Sequence, residues 1–232
     1  MTVFRPTMRM GAGSYGNDGP TQLLLHFNGA DASTSFPDAR GYGTPHAMTA
    51  NGNVQIDTAQ SVFGGASALF DGTGDYISTP DDAAWTPGTG FTADLRARFN
   101  SLATSNCLYS HFTDTNERYR LLAQSDGSLR FNVISGGVSI INVVSAGGVV
   151  TTATWYHIAF VKNGTDFRIY LDGTSVANTT TATAVPNFTG NMNIGMEFDG
   201  TSNPMNGWQD EFRISNIARW TAAFTVPNQQ YS

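Results

Sequence analysis

The fold of this chain is decided by the stretch WYHIAFVKNGTDFRIYLDG, residues 155–173. Aromatic and β-branched residues alternate in direction on either side of a short loop that contains Asn163-Gly164. Period-two alternation around such a loop is the pattern of a β-hairpin. The first strand of the pair is largely apolar on both faces. We therefore predict that it lies centrally in a structure of two packed β-sheets.

The composition supports an all-β fold. The chain has 232 residues with 25 glycines and only 13% charged residues, which indicates many turns and little helix. A single domain of this length buries enough surface to fold without disulfides. Cys107 is the one cysteine and can form no internal disulfide, which fits a reducing compartment or indifference to redox state.

Charge and hydropathy argue against several classes of protein. The net charge of −6 disfavours a surface that binds nucleic-acid phosphates. No apolar run approaches the roughly 20 residues of a membrane-spanning helix, and Met1 is followed by no apolar segment of a secretory signal. We therefore expect synthesis in the cytoplasm without a signal peptide, no membrane span and no nucleic-acid partner.

Other segments repeat the strand pattern. Hairpins are predicted over 66–78, around Asp71-Gly72, and over 119–133, around Asp126-Gly127. A long strand with one face in water is predicted over 91–100, and the structured part is expected to end at Pro227. About a dozen short strands separated by turns indicate an antiparallel two-sheet β-sandwich or jelly roll.

Residues 1–20 differ from the rest and predict an extended, glycine-rich N-terminal arm, followed by one domain over 21–232. Two arginines give the segment before Asp18 a charge of +2, which leaves −8 for the remainder of the chain. We expect the arm to contact a partner during assembly through Phe4, Arg5, Arg9 and Tyr15.

Six short runs, in order and together spanning about residues 23–227, resemble the laminin-G-like, concanavalin A-like jelly-roll family in the form common in bacteriophage proteins. The runs are LLHFNG at 24–29, FGGASALFDG at 63–72, GDYI at 74–77, WYHIA at 155–159, RIYLDG at 168–173 and DEFRI at 210–214. The resemblance implies two antiparallel sheets packed face to face with variable loops at one edge. It also implies binding of glycans or proteins, often with calcium, and usually no catalysis.

The residues offer no catalytic constellation. Glucanases of the same fold class resemble one another in a Glu-x-Asp-x-x-Glu strand, whose carboxylates serve retaining hydrolysis. None of the three glutamates here, Glu117, Glu197 and Glu211, begins that pattern. The four scattered histidines and the single cysteine predict neither a nucleophilic triad nor a zinc site. We therefore predict that the protein is not an enzyme.

Calcium is the one metal for which candidates exist. Asp31 and Asp38 lie in the first long loop and Asp210 in the last strand, which the resemblance places close together. Calcium takes six to eight oxygen ligands, many of them carbonyls that leave no mark in a sequence. The alternatives are that Asp31 and Asp38 form turns, and that Asp210 pairs with Arg213 or caps a loop.

Glycan binding requires an exposed aromatic ring beside amide or carboxylate groups. The candidates in or near loops are Tyr42, Trp85, Phe198 and Trp208. The alternative for each is packing in the core or at a sheet edge, and we favour it because aromatic residues supply much of the buried area of β-sandwiches.

Two functions remain. The first is a structural protein of a bacteriophage virion, a capsid decoration or cement protein or a tail-associated one, that docks through its arm onto neighbouring virion subunits or other copies of itself. The phage resemblance adds a trimer as the expected oligomer. The alternative is a lectin-like adhesion module that binds surface glycans.

Overall fold

The computed structural model describes residues 17–197 and 202–232, which form an antiparallel β-sandwich as predicted. The strands are β1 Thr21–Leu25, β2 Thr49–Asn51, β3 Gln55–Asp57, β4 Ser67–Asp71, β5 Tyr76–Thr79, β6 Gly90–Phe99, β7 Asn106–Asp114, β8 Glu117–Ala123, β9 Leu129–Ser135, β10 Val138–Val144, β11 Trp155–Asn163, β12 Asp166–Leu171, β13 Thr174–Thr180, β14 Met192–Ile194 and β15 Asn206–Ser215.

The strands divide into two sheets. The eight-stranded sheet has the order β13-β12-β11-β6-β15-β4-β3, with β1 pairing alongside β15, and the seven-stranded sheet has the order β10-β9-β8-β7-β14-β5-β2. Within the described residues, the single helical element is the 3₁₀ turn Ala83–Trp85, and no helix there is long and apolar enough to cross a membrane.

The hairpin that decided the prediction is confirmed. Strands β11 and β12 pair in register around the turn, with Asn163 opposite Asp166, and β11 pairs with β6 on its other side. Ile158 and Phe160 face the core between the sheets, whereas Ala159 belongs to a second apolar cluster on the outer face. The strand is apolar on both faces because both faces are covered.

The core lies between the two sheets and is rich in aromatic contacts. Phe131 of β9 and Phe160 of β11 stack across the sandwich with ring centroids 3.6 Å apart. Tyr109 of β7 and Phe212 of β15 meet edge to face at 5.7 Å. Such pairs add specific geometry to the large apolar area that these side chains bury.

The predicted hairpin over 66–78 is wrong in its pairing. Both strands form, as β4 and β5, but β4 lies in the eight-stranded sheet and β5 in the seven-stranded one. The turn therefore crosses from sheet to sheet. The buried carboxylate of Asp75 fixes this crossing, because it accepts hydrogen bonds from the N–H groups of Asp71 at 2.8 Å and Asn53 at 2.5 Å. An Asp-Gly signal predicts the turn but not which sheet follows it.

The segment that follows β15 covers the outer face of the eight-stranded sheet. Trp220 and Phe224 stack with centroids 4.0 Å apart and pack on Ala159, Val161 and Tyr170. Gly173 permits this passage, because a Cβ there would lie 2.0 Å from the carbonyl oxygen of Phe224.

The polar side of the long strand β6 is consequently buried at Thr92 and Asp94 and only partly exposed at Arg96 and Arg98, which corrects the prediction of a face in water. Asp94 of β6 is fully buried and binds Arg213 at 2.9 Å, His157 at 3.3 Å and the hydroxyl of Tyr231. Because Tyr231 is buried, the structured part also continues beyond Pro227, contrary to expectation.

The two ends of the described chain meet beside β1. The N–H of Asn17 donates to the carbonyl of Ser232 at 3.1 Å, and the N–H of Asn216 donates to the carbonyl of Pro20 at 3.0 Å.

The residues predicted to contact a partner lie outside the described residues: Phe4, Arg5, Arg9 and Tyr15.

Candidate ligand-binding cleft

A cleft of about 300 Å³ opens between the long loop after β1 and the segment that follows β5. This volume is at the lower end of the range for small-molecule sites. The residues that line the cleft are Arg40, Thr44, Pro45, His46, Ala47, Thr79, Pro80, Asp81 and Asp82.

Asp38 fixes the wall that the long loop forms. Its buried carboxylate accepts hydrogen bonds from the N–H groups of Leu24, Arg40 and His46, at 2.9–3.1 Å, and from the Nδ1 of His46 at 3.0 Å. Burial alone would raise the pKa of Asp38, but the hydrogen bonds from His46, Arg40 and Leu24 lower it below the ordinary value. An ionised carboxylate thus ties the loop to β1.

Trp85 lies behind His46 and connects the two walls. The ring centroids of Trp85 and His46 are 4.5 Å apart. The buried indole donates from Nε1 to the carbonyl of Pro80 at 3.0 Å, and the carbonyl of Trp85 accepts from the hydroxyl of Tyr119 at 2.6 Å. Since His46 and Pro80 both line the cleft, Trp85 holds the cleft in shape without a ligand.

Two adjacent carboxylates face solvent at the cleft. The side chains of Asp81 and Asp82 are 34% and 46% exposed. Asp81 Oδ1 lies 3.2 Å from Nε2 of His111, and Asp82 Oδ2 lies 3.5 Å from Nε2 of His46. Asp82 also accepts from the N–H of Ala84 at 2.8 Å and so caps the 3₁₀ turn. Because both carboxylates are partly exposed, they can accept further hydrogen bonds from a ligand.

The polar groups that the cleft offers are mainly acceptors. Arg40 is already bonded through Nη1 to the carbonyl of Gln22 at 2.9 Å and through Nη2 to the carbonyl of Thr44. Thr79 has a buried hydroxyl with no hydrogen-bond partner among the described residues. A ligand that donates several O–H groups would fit this lining, whereas an anion would be repelled by Asp81 and Asp82.

Three residues singled out from the sequence lie in the segments that form this cleft. Tyr42 lies in the long loop, between Arg40 and Thr44 in sequence, and is 61% exposed, but it is not among the residues that line the cleft. Trp85 is buried and supports the cleft, in keeping with the packing alternative. Asp38 anchors the loop.

Sequence reasoning missed the other principal residues of the cleft, His46, Asp81 and Asp82. Two adjacent carboxylates directly after a predicted strand were a visible signal, since such positions are exposed at the end of a sheet. The role of His46 has no such signal, because it depends on how a long loop folds back onto a distant strand.

The three carboxylates predicted to bind calcium lie in different surroundings. Asp31 accepts from the N–H of Thr58 at 3.2 Å, and Asp210 accepts from two backbone N–H groups of the loop before β4, at 2.8 and 3.0 Å. Residues 17–197 and 202–232 contain no group of three or more His, Cys, Asp or Glu side chains placed to hold a metal ion. Asp31, Asp38 and Asp210 therefore do not form one site, and calcium binding stays a prediction.

Trp208, the third aromatic candidate, does not line the cleft. It is partly buried on the outer face of the eight-stranded sheet, where its Nε1 donates to Asp57 at 2.6 Å and Arg98 lies over its ring. The fourth candidate, Phe198, lies outside the described residues.

Comparison with known proteins identifies the family. The family model Laminin_G_3, described as the concanavalin A-like lectin/glucanases superfamily, matches residues 71–222, about two thirds of the chain. No match was found among curated protein sequences.

Similar solved structures share the fold. Domain 4 of AbnA, a GH43 extracellular arabinanase from Geobacillus stearothermophilus, in complex with arabinotriose, is 20% identical, with a TM-score of 0.64 over 85% of this chain and 93% of that domain. The binding domain of botulinum neurotoxin serotype C1 is 13% identical, with a TM-score of 0.65 over 88% of this chain. That of botulinum neurotoxin DC, in complex with SialylT, is 14% identical, with a TM-score of 0.62 over 86% of this chain.

This chain spans 50% and 48% of the two toxin structures. Identities this low show a common fold and nothing more. The family match and the two-sheet geometry agree, and the chain belongs to the Laminin_G_3 family of the concanavalin A-like lectin/glucanase superfamily.

Proposed function

We propose that this protein is a non-catalytic domain that binds a neutral glycan in the cleft between the long loop after β1 and residues 80–82. The observation that carries the proposal is the chemistry of the lining, in which Asp81 and Asp82 present partly exposed carboxylates beside Pro45 and Pro80. Two structures of the same fold were solved with arabinotriose and with SialylT, which supports a glycan as the ligand. The choice of a neutral glycan rests on the two carboxylates.

Each part of a sugar unit has a counterpart here. Hydroxyl groups donate to the carboxylates of Asp81 and Asp82, and such charge-assisted hydrogen bonds are stronger than neutral ones. The apolar C–H face packs on Pro45 and Pro80. The cleft volume of about 300 Å³ admits one or two sugar units rather than a long chain.

A glycan microarray followed by calorimetry tests the proposal. The wild-type protein is expected to bind at least one neutral glycan, and the double variant D81N/D82N is expected to bind it at least tenfold more weakly. Asparagine keeps the cap at position 82, so the fold is retained. The matched control is D166N, because Asp166 forms a surface ion pair with Arg168 on the hairpin of the other sheet. Equal losses in both variants would contradict the proposal.

The second candidate is a structural role in a bacteriophage virion, as a capsid decoration or cement protein or a tail-associated protein. The observation that favours it is the charge asymmetry of +2 before Asp18 and −8 from Asp18 onward. A basic segment on an acidic body suits binding to an acidic neighbouring subunit, another copy of this chain included, with a trimer as the expected arrangement. Glycan binding is compatible with this role.

Immunogold electron microscopy of purified virions from the source tests the second candidate. Label over the head would support a decoration role, and label at the tail would support a tail-associated one. Absence of label from the particles would overturn both the decoration role and the tail-associated role. Deletion of residues 1–16 should abolish incorporation into the particle and leave glycan binding unchanged. Normal incorporation of the truncated protein would contradict docking through the arm.

A further inference from the structure

The seven-stranded sheet ends at β10, and no other strand of residues 17–197 and 202–232 pairs with the outer edge of β10. The strand has the sequence VSIINVV, with no charged residue and no proline. Natural edge strands are commonly short, charged or interrupted by proline, because a bare edge pairs readily with another strand. Apart from one irregularity between Ser139 and Ile141, β10 has the length and composition of a strand from the interior of a sheet.

The other sheet edges in the described part of the chain are better protected. Strands β2 and β3 have three residues each. The outer side of β1 is bonded to the long loop, since the carbonyl of Leu24 accepts from the N–H of Ala39 at 2.8 Å and the N–H of Leu24 donates to Asp38 at 3.1 Å. Strand β13 is as long as β10 and also uncharged, but its sequence TSVANTT is mostly small and polar, and it presents no exposed large apolar side chain.

Exposed apolar side chains are concentrated on β10. Within the described residues four large apolar side chains are exposed, and two of them belong to this strand: Val138 is 63% exposed and Val144 is 43% exposed. They lie three residues on either side of Ile141, at the two ends of the strand. A second strand laid along β10 would remove apolar surface of both valines from water, which favours association.

Backbone groups at the outer edge of β10 are free to pair. The N–H of Ser145 donates to the carbonyl of Leu129, at the start of β9, at 3.0 Å. Because backbone groups alternate in direction along an antiparallel strand, those of Asn142 and Val144 point away from β9. None of the loop and turn hydrogen bonds of the described chain reaches them. The edge therefore offers unused N–H and C=O groups at alternate residues.

We propose that β10 pairs antiparallel with β10 of a second copy of this chain, which joins the two seven-stranded sheets edge to edge. A two-fold axis at Ile141 places Val138 of each copy beside Val144 of the other, so that the exposed apolar ends of the strand cover one another. The cleft lies beside β5, near the opposite edge of the sheet, and stays open in both copies.

Charge favours a second copy as the occupant of this edge. The net charge of −6 makes copies of the chain repel one another over much of their surface. Strand β10 brings no charged side chain to its own counterpart. A contact through one strand edge belongs to the small class of interfaces, below roughly 1,200 Å² in total. We therefore expect a monomer at low protein concentration and a dimer at high concentration.

Sedimentation equilibrium of the full chain, at protein concentrations from about 1 μM to about 1 mM, tests the pairing. The wild type is expected to pass from monomer to dimer over this range. N142E should raise the dissociation constant at least tenfold, because two like charges come to lie diagonally across the two-fold axis. Its carboxylate can still accept from Nε of Arg130, as Oδ1 of Asn142 does, so the fold is retained. N142Q, which keeps an uncharged amide, is the matched control and should dimerise like the wild type.

Amide hydrogen exchange locates the contact in the wild type without any substitution. The N–H groups of Asn142 and Val144 should exchange at least tenfold more slowly at high protein concentration than at low concentration, because they become bonded across the new strand pair. Exchange along β13, the edge of the other sheet, should not change.

Four results would overturn the pairing of two copies. The first is a monomer throughout the concentration range, which would leave the edge for a strand of a different protein. The second is dimerisation with unchanged exchange at Asn142 and Val144, and the third is an equal dissociation constant in N142E and N142Q. The fourth is loss of the dimer on deletion of residues 1–16, which would assign the contact to the arm. Glycan binding in the cleft is measured separately, so either proposal can fail while the other stands.

Discussion

The imidazole of His46 lies against the indole of Trp85 with ring centroids 4.5 Å apart. This contact joins the long loop after β1 to the segment after β5, and Asp38 holds His46 from the other side. The walls of the cleft are thus positioned by buried groups of the protein. A binding site that is formed before its ligand arrives avoids the entropic cost of ordering loops on binding.

Replacing Trp85 with phenylalanine should weaken both the fold and the cleft. The change removes the hydrogen bond from Nε1 to the carbonyl of Pro80 and part of a fully buried ring. We expect a loss of about 2 kcal/mol in the free energy of unfolding, measured by urea denaturation, and weaker glycan binding. W208F serves as the control, because Trp208 is only partly buried and lies away from the cleft. An equal loss of glycan affinity in W208F would contradict the role given to Trp85.

Arg213→Met should be among the most destabilising single changes in this chain. Arg213 pairs with Asp94 through Nε at 2.9 Å and Nη2 at 3.1 Å, and both side chains are buried. Removal of one partner leaves a buried charge uncompensated, which costs about 3–5 kcal/mol. The partly exposed pair Arg168–Asp166 provides the comparison, since R168M should cost less than about 1 kcal/mol. Similar midpoints for the two variants in a denaturant titration would show that the buried pair is not needed.

Asp210 should make the stability depend on pH in an unusual direction. Burial raises the pKa of Asp210 to about 7, with the charge of Glu211 adding to it, while backbone hydrogen bonds from Phe63 and Val62 oppose the shift. The folded state therefore keeps a proton that the unfolded state releases near its ordinary pKa of 3.8. Between these values the folded state binds more protons, so raising the pH lowers the free energy of unfolding.

D210N isolates this effect because asparagine still accepts the hydrogen bonds of the two N–H groups. The difference in unfolding free energy, wild type minus D210N, should fall as the pH rises from about 4 to about 7 and then level off. Denaturant titrations at several pH values measure it. A difference that does not change with pH, or that rises, would show that Asp210 is ionised in the folded protein throughout.

Tyr231→Phe should loosen the C-terminal segment. The hydroxyl of Tyr231 donates to Asp94, and its backbone N–H donates to Glu211 at 2.9 Å. Loss of a buried hydrogen bond to a charged acceptor costs about 1.5–3 kcal/mol. Hydrogen exchange of residues 216–232 should accelerate as well. Y42F is the control, because Tyr42 is exposed and should change neither quantity. Unaltered exchange in Y231F would mean that the segment is held by its apolar contacts alone.

The sequence pattern predicted strands and their pairing well where both strands and their turn lie within one short stretch. The hairpin of Trp155–Asn163 and Asp166–Leu171 carries its alternation, its turn residues and its apolar faces within one short stretch. The Asp71-Gly72 turn was visible too, yet its strands joined different sheets, because pairing partners are chosen by tertiary packing. Asp94 was expected in water for the same reason, since the segment that covers it comes from the far end of the chain.

The candidate site was predictable only in part. Tyr42 stood out as a loop aromatic and is exposed in the long loop that forms one wall of the cleft, whereas Trp85 stood out equally and is buried. The exposure of a side chain depends on what packs against it. The ring that packs on Trp85 belongs to His46, which is distant from it in sequence.

Calorimetric titration of the wild type and D81N/D82N with the best neutral glycan from the microarray decides whether the cleft is a glycan site. We expect measurable binding by the wild type and at least a tenfold loss in the double variant, with the free energy of unfolding unchanged within about 0.5 kcal/mol. Full affinity in the double variant, or no neutral glycan bound by the wild type, would contradict it.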